Sequence, residues 1–215
     1  MIEEIAARVK GAEYFTKLDC QKGFWQIPVT ERTSDYLTVA TPWGRYQYLR
    51  MPFGISSAPE VFSEIMNTTL EGIEHCEAAM DDIFVYAETV KQLEISTKQV
   101  IDRLNKAGFT LNKDKCEYNK ESVKFLGHIF TANGILADNE KIEAIKQLRV
   151  PSNVKEVQRF LGMITYLGKF IAYLSELTEP LRKLLHKQTE WHWDPEQQLA
   201  FEKLKTVMST TPVLK

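Results

Sequence analysis

The pattern of hydrophobic residues changes once along the chain, near Asp138, and this change limits the possible folds more than any other feature. Before it, β-rich runs alternate with helical segments. After it, helical segments follow one another almost without interruption. There is no internal repeat and no low-complexity tract. We therefore expect a mixed region of strands and helices over residues 1–135, followed by a region that is nearly all helical.

Apolar spacing and capping residues predict the helices of the first region, and runs of β-branched and aromatic residues predict its strands. The helices are predicted over 2–10, 57–73 and 89–106. The strands are predicted within 14–29, in a hairpin over 36–51 that turns at Thr41–Gly44, and within 77–87, 109–118 and 123–130. In the second region, helices are predicted over 139–148, 153–166, 177–186 and 195–208.

The composition is that of a globular protein, with 44% hydrophobic and 26% charged residues, and it excludes wholesale disorder. The three cysteines, Cys20, Cys76 and Cys116, show no CxxC spacing, which disfavours a disulfide scaffold and a cysteine zinc site. The N-terminus lacks the basic flank and apolar run of a signal peptide. No apolar stretch reaches the roughly 20 residues that a membrane span needs. We expect an intracellular protein without a membrane segment.

Charge is also divided along the chain. Residues 60–94 contain nine acidic residues and one basic residue, a balance of −8, whereas residues 139–187 contain nine basic and five acidic residues, a balance of +4. An acidic centre beside a basic helical segment is typical of a metal site next to a polyanion-binding surface. Solvated helix faces explain the same counts, and both interpretations stay open.

The sharpest local feature is the pair Asp81-Asp82 inside an otherwise β-type stretch. Carboxylates are depleted in strands, and two of them next to Ile83 would be costly to bury without partners. A hairpin turn facing a divalent cation explains the pair, and Asp19 has similar apolar surroundings. Oxygen ligands without a His or Cys cluster indicate Mg²⁺ or Mn²⁺ rather than zinc. Acidic residues in a surface turn are the alternative.

Several long motifs occur along the whole chain and identify a family. Their residues are YFTKLDCQKGFWQI (14–27), RYQYLRMPFGISSAPEVF (45–62), MDDIFVYA (80–87), TLNKDKCEY (110–118), KFLGHIFTANGI (124–135), RFLGMITYLGKFI (159–171), PLRKLL (180–185) and WDPEQQLAFEKLK (193–205). In order and spacing they resemble the reverse transcriptase of long-terminal-repeat retrotransposons of the gypsy class.

The resemblance implies an α+β fold and an RNA-directed DNA polymerase module of a retrotransposon polyprotein. Residues 1–137 would form the palm, an antiparallel sheet with helices on one face, together with a residual fingers hairpin. Residues 138–188 would form a helical thumb, and residues 189–215 the start of a connection or ribonuclease H-like region. The family also implies a cytoplasmic location, in a virus-like particle, or a nuclear one.

The same resemblance implies the catalytic residues. Asp19 corresponds to the first metal-binding aspartate of the family, Asp81 to its partner at the hairpin tip, and Asp82 to a more peripheral second hairpin acid. Together they would hold two Mg²⁺ or Mn²⁺ ions for transfer of a nucleotide from a dNTP to a primer 3′-hydroxyl. The partners implied are an RNA or DNA template with its primer, and the dNTP.

Further residues match the family's nucleotide site. Phe24 stands at the position of an aromatic gate that excludes ribonucleotides, although Phe24 and Trp25 also suit a hydrophobic core. Gln26, Phe53 and Gly54 are expected near the incoming nucleotide, with Gly54 allowing close backbone approach. Lys115 takes the place of a lysine proposed to protonate pyrophosphate, although a solvated surface lysine is the simpler interpretation.

The remaining matches concern the nucleic acid. Phe125, Leu126 and Gly127 resemble the hairpin that grips the primer end. Basic residues of the predicted thumb are expected to contact phosphates, or else to be ordinary surface cations. These basic residues are Lys141, Lys146, Arg149, Lys155 and Arg159.

The chain also departs from the family. Ala79 stands where many relatives have an aromatic residue, and Cys20 stands where leucine is more usual. The matched region starts after the family's fingers segment and stops before its ribonuclease H acids, so we expect the chain to fold but to polymerise poorly without those parts of the parent polyprotein. The alternative is a truncated or domesticated remnant that binds nucleic acid or protein. The intact carboxylates favour the polymerase, and the missing fingers favour the remnant.

Overall fold

The computed structural model describes residues 2–168, 171, 173–186 and 189–209. The chain divides into two compact units at the bond between Leu126 and Gly127, earlier than the predicted palm–thumb boundary. Lys169, Lys187 and the last residues of the predicted connection segment lie outside the described residues. The assignment of palm, thumb and connection to these parts of the chain stays a prediction.

The first unit contains four helices and seven strands. Its helices are α1 (Ile2–Val9), α2 (Glu31–Tyr36), α3 (Ala58–Leu70) and α4 (Val90–Lys106). Its strands are β1 (Tyr14–Asp19), β2 (Thr38–Thr41), β3 (Gly44–Gln47), β4 (Cys76–Ala79), β5 (Asp82–Ala87), β6 (Glu117–Lys120) and β7 (Ser122–Phe125). Four of these strands form an antiparallel sheet in the order β4-β5-β1-β6.

Alternation along β1 and β5 gives this sheet two different faces. Leu18, Ile83 and Val85 are fully buried in one cluster with Phe62 of α3 and residues of α4. The predicted arrangement, an antiparallel sheet with helices packed on one face, is confirmed in the first unit. On the other face, the ring of Phe84 stacks on Phe15 at 5.7 Å.

Among its described residues, the second unit contains the hairpin of β8 (His128–Thr131) and β9 (Gly134–Ala137), followed by four helices. The helices are α5 (Asn139–Lys146), α6 (Val154–Tyr166), α7 (Leu174–Lys183) and α8 (Pro195–Ser209). The ring of Phe201 on α8 lies 4.7 Å from that of Phe160 on α6, and α8 also packs against α5 and α7. The predicted connection segment therefore shares a compact unit with the predicted thumb.

Three local predictions are wrong. The predicted strand over 123–130 is divided into β7 and β8, because Leu126 and Gly127 adopt left-handed backbone with φ of 50° and 75°. The predicted strand over 109–118 is reduced to a bridge between Leu111 and Cys20 and the first residues of β6. Trp25, expected in the core, leaves 49% of its surface exposed.

Helix α2 was not predicted, since its sequence ERTSDY carries no apolar stripe. It begins after Thr30, whose side chain accepts a hydrogen bond from the Thr33 N–H, an N-cap that satisfies one of the free amides of the first turn. Within the described ranges, every helix is too short or too polar to reach across a lipid bilayer.

Candidate active site

Strand pairing in the first unit brings three aspartates to one end of the sheet. Asp19 ends β1 and lies directly opposite Asp82, the first residue of β5. Met80 and Asp81 form the two-residue turn between β4 and β5, where Met80 takes left-handed backbone with a φ of 55°. Asp81 therefore lies in a hairpin turn, at the end of the sheet where β1 ends in Asp19.

Backbone hydrogen bonds fix the end of β1 on both sides. The Cys20 N–H donates to the Asp81 carbonyl oxygen at 2.8 Å, and the Asn112 N–H donates to the Asp19 carbonyl oxygen at 2.8 Å. The Asp19 N–H itself donates to the Cys116 sulfur at 3.5 Å. These bonds tie the hairpin turn, β1 and the loop before β6 together, so the aspartates sit on a rigid frame.

The Asp81 side chain is half-buried, and one of its carboxylate oxygens is enclosed without a partner. Its Oδ1 atom is buried and has no hydrogen-bond donor among the described residues. Gly23 lies against this carboxylate, so that a Cβ at position 23 would overlap Oδ1. Burial raises the pKa of Asp81, and the charges of Asp19 and Asp82 raise it further, against the opposing charge of Lys115.

Lysines neutralise the other two aspartates. The Lys115 ammonium lies 3.6 Å from Asp19 Oδ2, and its side chain is 66% exposed. The Lys17 ammonium lies 3.0 Å from Asp82 Oδ2, and the exposed fractions of these two side chains are 20% and 30%. The predicted surface lysine at position 115 is therefore exposed and at the same time paired with the first predicted metal ligand.

Among the described residues, no three His, Cys, Asp or Glu side chains form a group arranged to hold a metal ion. The Lys17 ion pair engages one oxygen of Asp82. Burial raises the pKa of the Cys20 thiol to about 12. Asp19 and Asp81 remain as a pair of hard oxygen donors whose chemistry suits Mg²⁺ or Mn²⁺.

Phe24 follows Gly23 in a 3₁₀ turn over Gly23–Gln26. Its half-buried ring lies 5.3 Å from the ring of Phe53 and 5.5 Å from that of Phe62. Phe53 is 65% exposed, whereas Phe62 is fully buried. Phe24 thus lies at the edge of the core and directly follows Gly23, which contacts Asp81. A role in the core and a role at the nucleotide site are therefore compatible.

The structure shows what Gly54 and Gln26 do within the chain. A Cβ at Gly54 would meet no protein atom within 4 Å, and its φ is 93°. The glycine therefore serves backbone conformation, and its close approach to a nucleotide stays a prediction. The Gln26 amide donates to the carbonyl oxygens of Gln21 and Thr110 at 2.7 and 3.0 Å, and its Oε1 accepts from the Thr110 N–H at 2.6 Å. Its polar atoms are engaged in holding the loop.

The residues predicted to contact the primer and the phosphates fall in several places. Phe125 is fully buried, and its ring stacks on Phe84 at 4.9 Å. In the second unit, the Lys141 ammonium lies 3.7 Å from the centre of the Tyr166 ring, and a Cβ at Gly127 would overlap the Tyr166 hydroxyl. Lys141 and Tyr166 also line a groove of about 440 Å³ together with Arg159.

The other predicted basic residues are less closely engaged. Lys146 pairs with Glu143 at 2.7 Å, and its charge is therefore partly neutralised. Arg149, Lys155 and Arg159 are exposed. Lys141 is the one of these five basic residues for which the described structure shows an approach to the predicted primer hairpin. Its side chain lies close to Gly127.

Two residues of the site were not singled out from the sequence. Lys17 stands two positions before Asp19 in a strand, a spacing that places both side chains on one face. Gly23 stands between Asp19 and the aromatic pair, but nothing local shows that it will meet Asp81 across the fold. The sequence therefore contains a signal for Lys17 and none for Gly23.

Comparison with known proteins settles the family. Residues 2–130 match the family described as reverse transcriptase (RNA-dependent DNA polymerase). The chain belongs to the reverse transcriptase family. It is 37% identical over 217 aligned positions to the Transposon Tf2-3 polyprotein of Schizosaccharomyces pombe and 36% identical to the Tf2-7 polyprotein. Each alignment covers the whole of this chain and 16% of the polyprotein. The resemblance to retrotransposon reverse transcriptases is confirmed.

Solved structures support the same fold. A foamy viral protease-reverse transcriptase in complex with double-stranded DNA matches the whole chain with a TM-score of 0.92 at 23% identity, over 38% of its own length. The same type of protein in complex with an RNA/DNA hybrid matches 98% of the chain with a TM-score of 0.87 at 24% identity, over 29% of its length. The α+β fold of the reverse transcriptase polymerase region is therefore confirmed.

Proposed function

We propose that this chain is the palm-and-thumb part of an RNA-directed DNA polymerase, which extends a primer with dNTPs on an RNA or DNA template. The observation that carries the proposal is the Asp81 carboxylate. It has a buried oxygen without a donor, and Asp19 is close enough to raise its pKa. Keeping such a group is costly for a folded chain unless a cation satisfies it.

The proposed reaction joins the primer 3′-oxygen to the α-phosphorus of the dNTP. The hydroxyl gives up its proton to solvent water, and the bond between the α-phosphorus and the oxygen that bridges it to the β-phosphorus breaks, so that pyrophosphate leaves. Bound Mg²⁺ or Mn²⁺ would lower the pKa of the hydroxyl and offset the charge of the triphosphate. Asp19 and Asp81 would hold these ions, with Asp82 at the border of the site.

Other side chains would support this chemistry. Lys115 is long, exposed and held beside Asp19 by an ion pair of 3.6 Å, so it would be available to a phosphate group that replaces the carboxylate as its partner. Phe24 would lie under the sugar, with Phe53 and Gly54 on the nucleotide side. Gln26 would act through the loop that it fixes to Thr110.

The second unit would contribute contacts to the nucleic acid. The foamy viral relatives of this fold are in complex with double-stranded DNA and with an RNA/DNA hybrid, and we extend nucleic-acid binding to this chain. Lys141 and Arg159 line one groove, and Arg149 and Lys155 are exposed nearby in sequence. Contacts of such residues with phosphates give affinity without base specificity.

One observation favours a second candidate function, a nucleic-acid-binding module that does not polymerise. Among the described residues no three-membered metal-binding group exists, although a two-metal polymerase needs carboxylates that converge. Against it, Asp81 keeps its enclosed, unpaired oxygen. A module that only bound phosphates would have no use for that costly group.

Primer extension on an RNA template tests the proposal. With the fingers segment of the parent polyprotein restored, we expect extension with dNTPs and Mg²⁺ or Mn²⁺ that stops with EDTA and falls about 10³-fold in Asp19→Asn, since the charge that holds the metal is lost. Asp102→Asn, an exposed aspartate of α4, is the matched control and should extend normally. Binding of the primer–template is measured in parallel on every variant.

The two candidate functions then give different results. Extension that survives Asp19→Asn would contradict the proposed metal site. Binding of primer–template without any extension, in either metal, would contradict the polymerase and support the binding module.

Phe24→Val is expected to raise the ratio of ribonucleotide to deoxynucleotide incorporation about tenfold, because a smaller side chain would leave room for a 2′-hydroxyl. Competition between the two nucleotide types in single-nucleotide extension measures this ratio. Phe109→Val is the control, since Phe109 also contacts Phe62, at 6.1 Å, but from within the core. An equal loss of both incorporations in Phe24→Val would show that the ring only packs the core.

A further inference from the structure

The face of the sheet that carries the aspartates also carries a lysine. Lys17 and Asp19 are two residues apart on β1, so they project from the same face. Asp82 lies directly across from Asp19 on β5. Like charges in opposite positions of a strand pair repel each other, so the pair of Asp19 and Asp82 needs a compensating cation.

Lys17 supplies that cation on the diagonal. Its ammonium lies 3.0 Å from Asp82 Oδ2, and four-fifths of its side chain is removed from solvent. The corresponding pair of Lys115 and Asp19 is longer, at 3.6 Å, and the lysine is 66% exposed. The two lysines are therefore unequal: Lys115 is free to exchange its partner, and Lys17 is held in the sheet.

We propose that Lys17 is a positioning residue that binds Asp82 and keeps its carboxylate out of the metal site, so that Asp19 and Asp81 alone hold the catalytic ions. The inference deepens the proposed function and rests on it. It also accounts for the absence of a three-membered metal-binding group among the described residues.

The proposal has a specific consequence for the third carboxylate. With Lys17 present, Asp82 would influence a bound ion only through its charge at a distance. Without Lys17, the Asp82 carboxylate is released next to Asp19 and gains access to the ion as a ligand. The effect of removing Asp82 should therefore depend on residue 17, which is what a double-mutant cycle detects.

Mn²⁺ binding to the full chain, measured by electron paramagnetic resonance without nucleic acid, provides the test. In the parent chain, Asp82→Asn should weaken Mn²⁺ binding only about threefold, through the lost charge. In Lys17→Met, the same substitution should weaken binding about tenfold or more, as expected when a metal-ligand contact is lost. Lys17→Arg, which keeps the charge, should behave as the parent does.

The same variants without metal give a second measurement. In EDTA, Lys17→Met should lower the melting temperature by about 2–4 °C, the scale of about 1 kcal/mol in a chain of this size. Adding Asp82→Asn to Lys17→Met should recover the loss, because the carboxylate that lost its partner is then uncharged.

The outcomes separate this proposal from the proposed function. If Asp81→Asn abolishes Mn²⁺ binding but Asp82→Asn has equal effects in the parent and in Lys17→Met, the role of Lys17 is overturned and the metal site stands. If Asp81→Asn leaves Mn²⁺ binding unchanged, the metal site itself fails. The melting temperatures in EDTA then show whether Lys17→Met and Asp82→Asn have coupled effects on stability. If their shifts in melting temperature are additive, the ion pair between Lys17 and Asp82 is contradicted as well.

Discussion

Replacing Asp81 by asparagine is expected to abolish primer extension and, in the same protein, to raise the melting temperature of the metal-free chain. Activity should fall about 10³-fold or more, the scale seen when a phosphoryl-transfer enzyme loses a principal charge-stabilising group. Stability should rise because the substitution removes a carboxylate that burial and two neighbouring aspartates disfavour. A substitution that lowers activity but raises stability indicates a residue that is retained for its function.

The gain in stability should depend on pH with a definite sign. The pKa of Asp81 is raised in the folded chain above its ordinary 3.8, chiefly by burial and then by Asp19 and Asp82. As the pH rises past that ordinary value, the unfolded chain releases the proton first, and the folded chain loses stability relative to it. The penalty is absent below the unfolded pKa and complete above the folded one.

Thermal unfolding in EDTA at several pH values measures this difference. The melting temperature of Asp81→Asn should exceed that of the parent at pH 7, and the gap should close as the pH falls toward 4. Asp102→Asn, on the exposed face of α4, is measured beside it as the matched substitution of an exposed aspartate. A lower melting temperature for Asp81→Asn at pH 7 would mean that the carboxylate stabilises the metal-free fold, contrary to its unpaired oxygen.

The parts of the fold and site that the sequence predicted are those fixed by local patterns. The hairpin around Asp81 is an example, since two β-type runs with a polar turn between them allow few other structures. The start of α4 is another: the helix is predicted from residue 89, and the Thr89 hydroxyl accepts a hydrogen bond from the Gln92 N–H there. These features depend on residues within a few positions of each other, and the same is true of most predicted helices.

The parts that were missed depend on contacts between distant residues. Trp25 is as apolar as Phe24, but the 3₁₀ turn sends only Phe24 toward Phe62 and leaves Trp25 exposed. The amide of Gln26 meets Thr110, which is 84 positions away. The family resemblance located such residues, and only the packing shows which of them hold the loop and which face solvent.

The same kind of distant contact makes Gly23 the most sensitive position in the loop. Gly23 is buried, and a Cβ there would overlap Asp81 Oδ1 and lie 2.9 Å from Asp81 Cγ and 3.0 Å from Phe62 Cζ. Phe62 is fully enclosed, so the Asp81 carboxylate is the group that must move. The Gly23 backbone is not left-handed. The glycine is therefore required because there is no space for a side chain, and not because of its backbone conformation.

Gly23→Ala is therefore expected to lower primer extension at least about 10²-fold, the effect of misplacing a reacting group by about 1 Å. It should also destabilise the fold by about 1–3 kcal/mol, the usual cost of an added methyl group in a packed site. Adding Asp81→Ala should restore most of the stability, since the overlapping carboxylate is gone, but none of the activity. Gly162→Ala on α6, where a Cβ meets nothing within 4 Å, is the control for stability alone and should stabilise its helix slightly. If Gly23→Ala extends primers normally, or if the second substitution fails to recover stability, the contact between Gly23 and Asp81 does not position the carboxylate.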